Sequence, residues 1–134
     1  MKFISLQHIS IEDPGTFKDF LIEDGHSITT IQLDEGDSIP NNLDEFDAML
    51  CMGGPMDTFM EDQYPWLVAE KKAIGEYVLN LKKPFLGFCL GCQLLGEVLG
   101  GKVVESKPPE IGVLDINIEE AAKADHIFDF LPNK

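Results

Sequence analysis

The sequence predicts an α/β domain with a doubly wound, mostly parallel sheet. Three observations support that fold class. Short apolar or β-branched runs alternate with amphipathic helical stretches over the 134 residues. The resulting element order is strand, helix, strand, strand, helix, strand, helix. Finally, two glycine-rich turns follow predicted strands, and ligands bind beyond such carboxyl ends in sheets of this kind.

The first half of the chain is predicted to hold one helix and three strands. Phe17, Phe20 and Leu21 share one face of the helix, and Gly25 is suited to end it. The third strand is almost entirely apolar and precedes two glycines and a proline, which favours a central position buried on both faces. The predicted bounds are strands at 2–7, 27–33 and 47–52 and a helix at 16–24.

The second half is predicted to hold a long helix, a buried strand and a short apolar helix, followed by further strands. Pro65 begins the long helix, whose apolar residues recur at spacings of three and four, and Pro84 ends it. The remaining predicted elements are a strand at 84–88, a helix at 93–99, and strands at 103–104 and 112–118.

Composition and charge exclude several classes of partner. Asp and Glu total 24 against 10 Lys and Arg, so the formal net charge is −14, which repels nucleic-acid phosphates and anionic lipid. The longest uncharged stretch, residues 84–96, is shorter than the ~18 apolar residues of a membrane span. The N-terminus lacks a signal peptide's apolar core. We therefore predict a single cytoplasmic domain over residues 1–134, with no nucleic-acid or membrane partner.

The three cysteines are too few for a disulfide framework. One of them, Cys89, is the centre of a G-x-C-x-G element between a predicted buried strand and a predicted apolar helix, which is the context of a nucleophile elbow. A sharp turn there would hold Cys89 out of the sheet in a strained backbone conformation, and side chains at Gly87 or Gly91 would collide with it.

The position of Cys89 at a helix N-terminus also predicts chemical reactivity. Unpaired N–H groups and the helix macrodipole at that end favour thiolate over thiol. The backbone N–H of Leu90, the next residue, would point to where an oxyanion forms. Cys89 is therefore the predicted reactive cysteine.

Residues 84–95, PFLGFCLGCQLL, are similar to the nucleophile motif G-x-C-x-G-x-Q of class I (triad-type) glutamine amidotransferases. Met52-Gly53-Gly54-Pro55 resembles the oxyanion strand of that family. The segments Gln7-His8, 61–67 (EDQYPWL) and 110–112 (EIG) resemble its stand-alone GMP synthase-like branch.

This resemblance implies a three-layer, flavodoxin-like class I amidotransferase fold and a site that hydrolyses the side-chain amide of glutamine. Cys89 would attack the amide carbon, form a γ-glutamyl thioester and release ammonia. Gly54 and Leu90 would supply the two backbone N–H groups of an oxyanion hole, and Gln93 would hydrogen-bond the substrate. The implied substrate is L-glutamine or a γ-glutamyl amide, without a cofactor. The implied partner is a synthetase, another acceptor protein or a second copy of the chain.

The family's catalytic base and its orienting acid come from a His-x-Glu on a C-terminal strand and loop. None of the three histidines, His8, His26 and His126, is followed two residues later by Glu. We therefore interpret the sequence as the N-terminal portion of a longer amidotransferase whose C-terminal strands are absent. We expect the 134 residues alone to have little glutaminase activity, because Cys89 lacks a general base.

The histidines and three glutamates are assigned other roles. His8 ends the first strand on the same rim as Cys89, and we interpret it as a polar residue at the start of a loop in preference to a substrate-channel or partner contact. His26 and His126 are expected to face solvent. Structural polar contacts are predicted for Glu70, Glu97 and Glu110, with no partner histidine that would make them catalytic.

Other interpretations stay open. The missing His-x-Glu suits a non-catalytic, partner-binding module on the same scaffold, and relatives of the family include γ-glutamyl hydrolases. Cys89 and Cys92 form a C-x-x-C typical of redox proteins, although Gln93 has no redox role. A zinc site is disfavoured because this pair offers two ligands where structural zinc takes four. Intracellular cysteine peptidases usually have His directly after the elbow cysteine, where this chain has Leu90.

Overall fold

The computed structural model describes residues 1–109, 111–115, 117, 118, 120, 122 and 125–127. The chain divides into two compact units, Met1–Val103 and Val104–Lys134. All of the helices and strands assigned below lie in the first unit. They are β1 (Lys2–Gln7), α1 (Gly15–Glu23), β2 (Ser27–Gln32), β3 (Ala48–Cys51), α2 (Trp66–Gly75), a π-helical turn (Glu76–Asn80), β4 (Phe85–Gly87) and α3 (Leu90–Val98).

The four strands form one parallel sheet in the order β2-β1-β3-β4. Its register pairs Lys2 with Ser27, and Phe3 with Ala48. The chain therefore crosses over between neighbouring parallel strands, as in other α/β folds. The predicted α/β class with a parallel sheet is confirmed.

Two apolar clusters cover the two faces of this sheet. Successive side chains of a strand point to opposite faces, so β1 and β3 each contribute to both clusters. One cluster joins Ile4, Leu6, Met49 and Cys51 to residues of α2 and α3 that include Leu67, Ile74, Leu90 and Leu94. The other joins Phe3, Ala48, Leu50 and Met52 to Leu21 of α1. The result is three layers, with β3 buried on both faces as predicted.

Strand β4 and helix α3 differ from the sequence prediction. The predicted buried strand at 84–88 is three residues long and half-buried, with Leu86 43 % exposed, because β4 is the last strand on its side of the described sheet. Helix α3 begins at Leu90, three residues earlier than predicted. The predicted start at 93 followed the apolar periodicity, whereas the turn after β4 leads directly into the helix.

The strands predicted at 103–104 and 112–118 are absent from the described residues of those segments. Val104 is 69 % exposed and Val113 is completely exposed. A strand is stable only when a neighbour accepts and donates its backbone hydrogen bonds, and alternating side chains alone do not supply that neighbour.

No helix among the described residues is long and apolar enough to cross a membrane. The cytoplasmic location and the single domain inferred from the sequence stay predictions.

Candidate active site

Cys89 occupies the turn between β4 and α3, with backbone angles φ 50° and ψ −106°. A positive φ is strained for any residue with a side chain, and such strain is concentrated at functional sites. The side chain of Cys89 is exposed and its thiol is free. The fold therefore presents this sulfur to solvent at the N-terminus of a helix.

The two glycines of the turn are required by close backbone contacts. A Cβ on Gly87 would lie 2.6 Å from the Cys92 nitrogen, and a Cβ on Gly91 would collide with the Cys51 carbonyl oxygen. Hydrogen bonds hold the turn against the end of β3, because the Phe88 N–H donates to the Cys51 carbonyl at 2.9 Å. The sequence predicted that side chains at these two positions would collide with Cys89. The atoms that they would meet first belong instead to α3 and β3.

Gly53 and Gly54, which follow β3, lie directly beside this turn. The position of a Cβ on Gly53 is 3.5 Å from the Cys89 Cβ, and that of a Cβ on Gly54 is 3.3 Å from the Leu90 side chain. Within the described residues, the N–H groups of Gly54 and Leu90 donate to no backbone carbonyl. Two amide donors without a backbone acceptor thus belong to the two turns that meet beside Cys89.

His8 is the first residue of the loop after β1, as predicted, and it is completely buried beneath these glycines. Its Nδ1 lies 2.8 Å from the Gly53 carbonyl oxygen and its Nε2 lies 2.8 Å from Glu70 Oε1. The ring stacks on Trp66, with centroids 5.3 Å apart and planes 13° apart. Glu70 makes structural polar contacts, as predicted, and one of its partners is a histidine.

The Glu70 carboxylate sets the electrostatics of this buried cluster. Burial alone would lower the pKa of His8, but the hydrogen bond and negative charge of Glu70, together with the Gly53 hydrogen bond and the Glu12 charge, raise it. The Cys51 thiol also donates to Glu70 Oε1, at 3.3 Å. Burial, and then the nearby Glu70 charge, raise the pKa of Cys51 well above its usual value, so this cysteine stays a thiol.

His8, Cys51 and Glu70 also form the one candidate metal-binding group in the described part of the chain. Their ligand atoms lie within 4.8 Å of one another, and nitrogen, sulfur and carboxylate oxygen are the ligands that zinc takes. However, the three atoms are already joined by hydrogen bonds, which account for the arrangement without an ion. The expected absence of a metal stays a prediction.

Comparison with known proteins identifies the family to which the chain belongs. The family model for "Glutamine amidotransferase class-I" matches residues 17–134. The chain belongs to the class I glutamine amidotransferase family. The chain is 35 % identical over 117 residues to the "Putative glutamine amidotransferase-like protein YfeJ" of Salmonella typhimurium, a match that covers 85 % of this chain and 48 % of the relative.

Two further comparisons agree. A subunit of the glutamine-hydrolysing GMP synthase of Sulfurisphaera tokodaii is 38 % identical over 81 residues, or 58 % of this chain and 38 % of that protein. The crystal structure of a glutamine amidotransferase from Thermotoga maritima matches with a TM-score of 0.70 and 34 % identity, covering 75 % of this chain and 43 % of that one. The chain spans about half the length of the curated relative from Salmonella typhimurium.

The other predicted residues lie at or outside the site. Gln93 and Cys92 are exposed on the first turn of α3, and the Gln93 N–H donates to the Cys89 carbonyl at 3.1 Å. His26 is half-buried, whereas solvent exposure was predicted. Its ring lies 5.6 Å from that of Phe3, and its Nδ1 lies 3.2 Å from the N-terminal amine. His126 is exposed, as predicted. Glu110 lies outside the described residues.

Glu97 makes the structural contacts predicted for it. Its carboxylate accepts from Thr58 at 2.7 Å and pairs with Lys71 at 2.9 Å. Burial alone would raise the pKa of Glu97, but the hydrogen bonds from Lys71 and Thr58 lower it. This cluster links α2, α3 and the loop between β3 and α2.

Glu12 is a site residue that the sequence analysis did not single out. Its carboxylate lies so close to Gly53 that a Cβ there would collide with it, and the same Cβ would contact Cys89. The loop after β1 therefore brings a negative charge to the edge of the thiol site. No local pattern distinguishes Glu12 from the many other acidic residues of the chain.

Proposed function

We propose that Cys89 is the nucleophile of a glutamine-hydrolysing site. Its sulfur attacks the side-chain amide carbon, the C–N bond breaks, and ammonia leaves from a γ-glutamyl thioester that water then hydrolyses to glutamate. The observation that carries this proposal is the exposed thiol of Cys89 at a strained turn beside the amides of Gly54 and Leu90.

The two amides are proposed to form the oxyanion hole. Donors fixed in advance stabilise the negative oxygen of a tetrahedral intermediate, and loss of one such donor typically lowers kcat by about 10²–10³-fold. Support comes from the proximity of Gly54 to Leu90 and from the lack of a described backbone acceptor for either N–H. Gln93, exposed one helical turn beyond Cys89, is proposed to hydrogen-bond the bound glutamine.

We propose that the 134 residues on their own hydrolyse glutamine only slowly. Both ring nitrogens of His8 are engaged, by Gly53 and by Glu70, so this histidine is not free to deprotonate Cys89. The sequence contains no His-x-Glu to replace it. We expect ammonia release from glutamine to be far slower than for a longer class I relative. Equal rates would contradict this part of the proposal.

The nucleophile is tested with a chloroketone analogue of L-glutamine, in which a chloromethyl ketone replaces the side-chain amide. Cys89 displaces chloride and keeps the analogue as a thioether, which peptide mass mapping locates. We expect labelling of Cys89, a much slower reaction with the D-enantiomer, and no rapid labelling of the Cys89→Ser variant. The matched control, Cys92→Ser, keeps the wild-type rate.

Two results would contradict the proposed nucleophile. The first is equal labelling of Cys92, the other exposed cysteine of the same helix turn. The second is the absence of any preference for the L-enantiomer. A reversible Cys89–Cys92 disulfide that forms in mild oxidant and blocks no glutamine-dependent reaction would instead favour the redox alternative.

A partner that consumes the ammonia is proposed as well. Among the relatives, the protein from Sulfurisphaera tokodaii is named as one subunit of a glutamine-hydrolysing GMP synthase. By analogy, this chain would pass ammonia to a synthetase or another acceptor protein. Release of ammonia from γ-glutamyl amides other than glutamine, with glutamine itself inert, would favour the γ-glutamyl hydrolase alternative.

A further inference from the structure

The buried hydrogen bond between His8 and Gly53 acts on the same peptide unit that carries the Gly54 N–H. Nδ1 of His8 lies 2.8 Å from the Gly53 carbonyl oxygen, and since a carbonyl only accepts, Nδ1 must carry the proton. The peptide between Gly53 and Gly54 is trans. In a planar trans peptide the C=O and N–H point in opposite directions. The direction of the Gly53 oxygen therefore sets the direction of the Gly54 N–H.

We propose that His8, oriented by Glu70, is a positioning residue that holds the Gly54 N–H toward the site of Cys89. This inference rests on the proposed function and deepens it. His8 draws the Gly53 oxygen into the buried cluster, so the opposite N–H points away from that cluster. The two glycines border Cys89 and Leu90.

A Gly-Gly peptide needs such a restraint because no side chain limits its rotation. A flipped peptide would turn the Gly54 N–H away from the site and bring a carbonyl oxygen toward the developing negative charge. It would also leave the Nδ1–H of His8 buried without an acceptor, since the ring is completely inaccessible to solvent. The histidine thus opposes the conformation that would remove one oxyanion donor.

Glu70 fixes the ring that makes this contact. Its Oε1 lies 2.8 Å from His8 Nε2, and it accepts a second hydrogen bond from Cys51 at the end of β3. Trp66 of α2 stacks on the imidazole and sets the plane of the ring. The cluster therefore ties together the end of β1, the end of β3 and the first turns of α2, directly below the two glycines.

Two variants of His8 separate positioning from simple packing. His8→Phe keeps an aromatic ring against Trp66 but has no donor for the Gly53 oxygen. His8→Asn loses the contact with Glu70, but its side-chain amide nitrogen lies about as far from the backbone as Nδ1 of histidine. The amide N–H can therefore still donate to the Gly53 oxygen. A third variant, Glu70→Gln, retains the length of the side chain and a hydrogen bond to Nε2.

The measurement is the ratio of two labelling rates at Cys89. The L-chloroketone analogue of glutamine has a ketone that oxyanion donors polarise, whereas iodoacetamide measures only the access and nucleophilicity of the thiol. Because loss of one oxyanion donor costs about 10²–10³-fold in related reactions, we expect His8→Phe to lower the ratio at least ~10-fold. His8→Asn and Glu70→Gln should stay close to the wild-type ratio.

A folded His8→Phe variant with an unchanged ratio would overturn the positioning role. Equal rates for the L and D chloroketones in the wild-type chain would instead remove the proposed function. NMR of the wild-type chain decides the positioning role without any variant. We expect a slowly exchanging proton on Nδ1 of His8 that is coupled to the Gly53 carbonyl, and an unprotonated Nδ1 would contradict the inference.

Discussion

Gly91 lies where the first turn of α3 passes the end of β3, and a side chain has no room there. The Cβ of an alanine would collide with the Cys51 carbonyl oxygen and would lie 2.7 Å from its carbon. Both atoms are backbone atoms of a central strand, so neither moves easily. We predict that Gly91→Ala lowers the free energy of unfolding by about 1–3 kcal/mol or more, as measured by urea denaturation.

The same helix supplies a matched control. A Cβ on Gly96 would meet nothing within 4 Å. Alanine there should raise the free energy of unfolding by about 0.5–1 kcal/mol, because it has the higher helix propensity. Equal effects of Gly91→Ala and Gly96→Ala would show that the packing of α3 against β3 is described incorrectly.

At the residue scale, the sequence predicted the turn glycines and the exposed Cys89, because both follow from a local motif. The partners of His8 were not predictable in this way. Glu70 is 62 positions away along the chain, and the two meet only because α2 packs across the sheet beside the end of β1. A single polar residue on an otherwise apolar helix face carries no sign of which distant side chain it contacts.

The π-helical turn Glu76–Asn80 is an element whose effect on stability is measurable through pH. It places the buried Tyr77 so that its hydroxyl donates to the Phe46 carbonyl at 3.0 Å. Burial, followed by the charges of Asp47 and Asp44, raises the pKa of Tyr77 from 10.0 to about 12. The folded state therefore retains the proton over a pH range in which the unfolded chain loses it.

Because the pKa of Tyr77 is higher in the folded state than in the unfolded chain, we predict a loss of stability at alkaline pH. The contribution of Tyr77 is complete below pH 10.0 and falls as the pH rises toward about 12. Tyr77→Phe should cost about 0.5–1.5 kcal/mol at pH 8 and should remove this part of the alkaline loss. Urea denaturation of both proteins at pH 8 and pH 11 checks this. A wild-type chain that loses no more stability than the variant would contradict it.

At the element scale, local patterns located β1, β2, β3 and α1 to within one or two residues, because their apolar periodicity ends at clear turn residues. The exposure of β4 was not predictable, since it depends on which strand lies at the border of the sheet. The predicted strands after α3 failed for a similar reason. Their alternation of apolar and polar residues lacks a neighbouring strand among the described residues.

At the scale of the whole chain, 24 acidic residues face only 10 basic ones. This imbalance should make the thermal stability of the fold depend on salt concentration. Like charges repel one another most strongly in the compact folded state. The screening length falls from about 30 Å at 0.01 M to about 8 Å at 0.15 M salt. We predict that Tm rises by a few degrees as NaCl increases over this range. A Tm that falls with salt would contradict the prediction.

The central claim is that the thiol of Cys89 and the amides of Gly54 and Leu90 act on one carbonyl group. The most direct test is a crystal structure of the chain after reaction with the L-chloroketone analogue of glutamine. The account predicts a thioether on Cys89, with the ketone oxygen within hydrogen-bond distance of both amide nitrogens. An adduct on Cys92, or a ketone oxygen turned away from Gly54, would contradict it.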